Sequence, residues 1–212
     1  MQQGFSKPSV VRQIPPHIIQ EKLNEDLDSL LQLALKGGAS EATIISSADV
    51  IFDRVKRSRA NADDGYPSIH WPLDYPKDSV EEAIRAYQSG LFFQVTPGSD
   101  MPDYGGGPIP DLNHRERYFK VSEIVTHVES TAFYMAYHLV IGFAAGNCRS
   151  IFCADEKRCR AMVKGRTCIQ PYKGRPSLAA AGIDTFTMAK NLKFKLPSHQ
   201  TDPLLAGLVM IV

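Results

Sequence analysis

Cys148, Cys153, Cys159 and Cys168 are the only cysteines of this 212-residue chain, and they share one 21-residue window. A thiolate is a soft anionic ligand, and four of them satisfy either tetrahedral zinc or the four irons of a cubane cluster. Disulfides are the competing use of such residues. The gaps of four, five and eight residues would close only small loops, which stabilise little. Clustered cysteines in a reducing compartment are more often metal ligands than disulfides. Metal ligation is therefore the expectation, against a background of buried unligated thiols.

The spacing says less about which metal. Structural zinc sites pair cysteines two to four residues apart in two knuckles. Only Cys148 and Cys153 approach that rule here, and the two-residue gaps of a bacterial ferredoxin run are absent. The surrounding charge is distinctive. Residues 148–175 hold eight basic and two acidic residues, a local charge of +6 in a chain of net +1. Four thiolates around zinc or an oxidised cubane leave about −2, which basic side chains offset and hydrogen bonds to sulfur temper. Arg149, Arg160, Arg166, Arg175 and Ser177 are the residues expected to surround the centre or to face a partner.

The elements that must position this window read as an α+β domain, a small sheet packed by about four helices. Residues 1–16 form an expected N-terminal arm, and 17–212 one domain with its metal-binding segment at 146–176. Leucine spacing predicts a helix from His17 to about Leu35, stopped by Gly37-Gly38. Ala42–Ser46, Val50–Val55, Leu91–Thr96 and Leu204–Val212 read as strands, the last a central one. Ser79 and Glu82 predict a capping box opening a helix to Gln88. A long helix is expected over Ser122–Ala145 with Gly146 as its C-cap, and another from Pro176-Ser177. Residues 97–110, with four prolines and four glycines, read as a surface loop.

Several constellations are excluded. Tyr104-Gly105-Gly106-Gly107 lacks the Lys-Ser/Thr of a phosphate loop, and His127 and His138 lack the four-residue spacing of a helical metal pair. His70 and Trp71 stand in an aromatic loop that reads as packing. No catalytic set is identifiable, so enzymatic activity is left open. The N-terminus has no apolar signal segment, and no apolar run reaches the roughly 18 residues of a membrane helix. A cytoplasmic protein without nucleic-acid or membrane partners is expected, with homo-oligomerisation left open.

The stretch from Asn147 to Leu192, with its four cysteines, Arg175-Pro176-Ser177 and Gly182-Ile183-Asp184, resembles the C-terminal signature of a bacterial and archaeal family of predicted metal-binding proteins of unknown function. Glu129 and Phe133 on the preceding helix are similar as well. Many members of that family carry a second upstream cysteine set with a Cys-Pro-Pro, where this chain has Trp71-Pro72 and no cysteine before Cys148. The resemblance and its anaerobe-leaning membership imply an iron–sulfur protein, of the 4Fe-4S type, with one centre. It would act in electron transfer with an acidic redox partner, or as an accessory subunit of a larger anaerobic redox complex. The alternative is a structural zinc module for protein–protein contact.

Overall fold

A computed structural model of the chain describes residues 19–53, 79–97, 109, 111–156, 159–162, 166–197 and 203–212. It contains helices α1 (Gln20–Lys36), α2 (Ser79–Arg85), α3 (Leu112–Tyr134), α4 (Cys148–Phe152) and α5 (Thr185–Asn191). Strands β1 (Glu41–Ser46), β2 (Ser89–Val95), β3 (Val140–Phe143) and β4 (Leu205–Ile211) form one antiparallel sheet in the order β1-β2-β4-β3.

The two central strands explain the architecture. In β2 and β4 nearly every position is buried, which a strand tolerates only when both faces of its sheet are covered. Successive side chains alternate between those faces. Leu91, Phe93, Val95, Leu205, Val209 and Ile211 enter one core with the apolar stripes of α1 and α3. Phe92, Ala206, Leu208 and Met210 enter a second core with Ile84 of α2, Met188 of α5 and Phe143. The molecule is thus an α+β fold in which a small antiparallel sheet lies between two helical layers.

Three local expectations are corrected. The long helix does not run from Ser122 to Ala145. It starts at Leu112, where the Asp111 side chain accepts the Asn113 and His114 N–H groups, and it stops at Tyr134. There the Ala136 N–H bonds Phe133 O and the Tyr137 N–H bonds Ala132 O, with Ala136 in the left-handed region at φ 76°. This pairing closes a helix end normally marked by glycine. The apolar residues beyond it form β3, so His138 leaves the helix that carries His127. Of the expected strand at Val50–Val55, the described residues 50–53 follow a 3-10 turn, Ser47–Asp49, and form an isolated bridge from Phe52 to Ile183 in place of a strand, while Arg54 and Val55 lie outside the described residues.

The helix expected at Pro176-Ser177 is also replaced. Ser177 pairs in parallel with Ala144, and the chain turns before Asp184 caps α5 through the Thr187 N–H. The expected arm at 1–16, the aromatic loop with His70 and Trp71, the glycine run at 104–107 and the Ser79 cap lie outside the described residues or side chains.

Candidate metal centre

Both ends of the cysteine window are anchored to the sheet at one place. β3 leads into Ala144, whose N–H bonds Pro176 O at 3.0 Å and whose carbonyl accepts the Leu178 N–H at 3.0 Å. Ala144, four residues before Cys148, is thereby joined to Pro176 and Leu178, eight and ten residues after Cys168. Glu129 of α3 reinforces the junction. Its Oε1 accepts the Gly142 N–H at 3.0 Å, and its Oε2 receives Arg175 Nε at 2.5 Å. A side chain at Gly142 would run into Val125, so the glycine lets β3 approach α3 closely enough for this bond. The ion pair is about four-fifths shielded, with side-chain exposures of 18% and 17%. Arg175 also donates to Gly174 O at 2.9 Å.

From that base the chain turns through Gly146, at φ 70°, where a side chain would press against the Tyr118 ring. Buried Asn147 then caps α4 by accepting the Arg149 N–H at 2.9 Å. Cys148 occupies the first turn of this short helix, and buried Ile151 anchors it in the α1/α3 core. The Cys153 N–H bonds Arg149 O, and the Arg149 guanidinium reaches Glu156 O at 2.6 Å. Arg160 and Arg166 are exposed. At the other end, the Gln170 N–H donates to Cys168 Sγ at 3.2 Å.

None of the four cysteines is in a disulfide, and all are half-buried. Three of the thiols feel their neighbours: Cys148 the three others, Cys153 both Cys159 and Cys168, and Cys168 the Cys159 thiol. Burial pushes the Cys148 thiol up to about 12, and Cys159, Cys168 and Cys153 add to the rise against the Arg149 N–H. Burial also raises Cys153, reinforced by Cys168, Cys159 and Glu156 and opposed by Arg149. Cys168 is raised by burial and Cys159, while the Gln170 N–H pulls it back. Four sulfurs this close repel one another as thiolates, and a cation among them would reverse that cost.

Among the described residues, no three His, Cys, Asp or Glu side chains stand in position to share a metal ion. The sulfurs are gathered without being closed onto one point. Neutral thiols have no reason to converge further, since ligand closure and proton release accompany metal binding. In the chemistry of its donor set, the cysteine group fits a thiolate-ligated centre.

The remaining expected residues are distributed unevenly. Arg149 lies inside the window, whereas Arg175 serves the junction with Glu129 and does not face outward. Ser177 is 5% exposed, and its Oγ accepts the Ala180 N–H at 3.0 Å, which makes it a turn cap. Asn147 and the anchoring role of Glu129 were not read from the sequence. An asparagine one residue before a helix start is a usable signal for the first. The Glu129–Arg175 contact spans 46 residues and leaves no local signal.

No curated protein and no solved structure matches the chain, and no described helix is long and apolar enough to cross a membrane. The family described as predicted metal-binding protein (DUF2284) matches residues 69–211, from upstream of α2 to the end of β4. The chain therefore belongs to this family of predicted metal-binding proteins.

Proposed function

We propose that Cys148, Cys153, Cys159 and Cys168 hold a single metal centre, and that the centre is an iron–sulfur cluster of the 4Fe-4S type serving electron transfer. The observation that supports this reading is that all four cysteines of one 21-residue window are half-buried and free of disulfides, with Cys148, Cys153 and Cys168 each raised by burial and by neighbouring thiols. Four thiolates complete the ligand shell of a cubane, which supplies one-electron redox chemistry. The gaps lack the second tight knuckle of structural zinc, and this favours the cluster.

The chain's own groups support that role. The Gln170 N–H at Cys168 Sγ is a hydrogen bond of the kind that raises a cluster's potential. Arg149 offsets the thiolate charge beside Cys153. Exposed Arg160 and Arg166 offer an acidic redox partner, or a larger complex, a positive surface next to the centre.

The first cysteine pair keeps a second reading, structural zinc, because its four-residue gap fits one knuckle. Anaerobic purification with iron, sulfide and zinc analysis separates the two. The proposal expects about four irons and four sulfides per chain with a visible band that dithionite bleaches. A colourless protein with one zinc per chain would replace it with the zinc module.

A further inference from the structure

A cavity of about 490 Å³ lies along α3, between the end of α1 at Gly37 and the segments that carry the cysteines. Its size falls within the range of about 300–1,000 Å³ typical of small-molecule sites. Its walls combine aromatic rings with charged side chains, Lys120, Lys173 and the carboxylate of Glu123. Phe119 of α3 and Phe152 of α4 meet edge to face with centroids 5.3 Å apart. Lys173 Nζ sits 5.3 Å from the centroid of the Phe119 ring.

The two lysines of the cavity differ. Lys120 has a carboxylate partner, Glu123, at 3.6 Å. Lys173 has none among the described residues and rests on the aromatic face alone. A cation–π contact at an exposed site is weak, so it leaves the ammonium able to bind an anion. Thr126 and Ser122 also line the cavity. Their hydroxyls donate to the Ser122 and Tyr118 carbonyls, which leaves their oxygens as acceptors.

We propose that this cavity binds a small aromatic carboxylate, its ring against Phe119 and Phe152 and its carboxylate on Lys173. Phe152 immediately precedes Cys153, and Lys173 follows Cys168 by five residues. A ligand seated here would touch both flanks of the cysteine window. The site is carried by the cavity and its charge, and it stands whether or not the cysteines hold a metal.

Equilibrium dialysis of the full chain, purified anaerobically with whatever metal it carries, against radiolabelled benzoate tests the site. The expected result is saturable binding of about one benzoate per chain. The Lys173→Gln variant should bind about tenfold more weakly at unchanged metal content, and the neutral isostere benzyl alcohol should fail to compete. Phe119→Leu should weaken binding without removing the dependence on charge. The site is overturned by non-saturable uptake, by equal binding to Lys173→Gln, or by equal competition from benzyl alcohol. Metal analysis of the same preparation reports on the cysteines separately, so failure of either reading leaves the other legible.

Discussion

The sheet centre and the cysteine window are built on opposite principles. In β2 and β4 almost every residue is buried, and both faces are covered by apolar clusters. Between Cys148 and Cys168, only Ser150 and Ile151 are buried among the described residues, and the regular structure is a five-residue helix and a 3-10 turn. The first region is held by removal of apolar surface from water, which requires no ligand. The second has little to bury and presents sulfur. Its order comes from its base, where Ala144, Glu129 and Arg175 tie the two ends together.

The largest expected effect breaks the first region. Phe92 is fully buried on one face of β2, 5.5 Å from the Phe194 ring. Phe92→Ala should cost about 3–5 kcal/mol by cavity formation. Chemical denaturation should show that loss, and metal content should fall only in step with the unfolded fraction.

The second prediction sharpens the contrast by pH. The thiols of Cys148, Cys153 and Cys168 are raised above their ordinary value, so near neutral pH these three are protonated in the metal-free protein. Ligation must expel those protons, and apparent metal affinity should rise with pH by about tenfold per unit for each proton released. Competition with a chelator of known pH dependence measures this slope. For the metal-free protein the sign reverses. The contribution of Cys148 to stability is complete below its ordinary value of 9.0 and lost as pH climbs through about 12.

A third prediction addresses the junction. Glu129→Gln strands the shielded Arg175 guanidinium and should cost about 1–3 kcal/mol. If the junction positions the window, metal should pass to a chelator faster while the amount bound at the outset stays the same. Adding Arg175→Met removes the stranded charge and should restore part of the stability without restoring retention.

The smallest effect concerns the turn after α3, and it also shows what the sequence conceals. Ala136 adopts φ 76°, which costs an L-residue about 1–2 kcal/mol. Ala136→Gly relieves that cost but gives the unfolded chain more freedom. A net gain of about 1 kcal/mol or less is expected in thermal unfolding. With no glycine at this stop, the apolar run from Thr131 onward reads as uninterrupted helix, and periodicity cannot separate a four-residue buried strand from it.

Elsewhere the chain is more transparent. The run Leu204–Val212 is apolar at consecutive positions because β4 is central and covered on both faces, and the leucines of α1 point to one core at helical spacing. The four cysteines stand out as a candidate set from type and proximity alone. Their support does not, because the Glu129–Arg175 pair and the Ala144–Ser177 bridge join segments far apart in sequence. Pro176-Ser177 misleads for a related reason. Its helix-start chemistry is spent on a strand pairing and a turn, and Asp184 supplies the cap instead.

The most direct test pairs metal analysis with far-ultraviolet circular dichroism on the wild type and Cys148→Ser. Cys148 lies in the first turn of α4, and burial and the other three thiols raise it, so its loss should empty the centre. The expected result is one centre per wild-type chain, little or no metal in the variant, and the same helix and strand signal in both. Full metal retention in Cys148→Ser would contradict a centre built on this cysteine set. Collapse of the circular dichroism signal on metal loss would contradict a sheet core that folds without it.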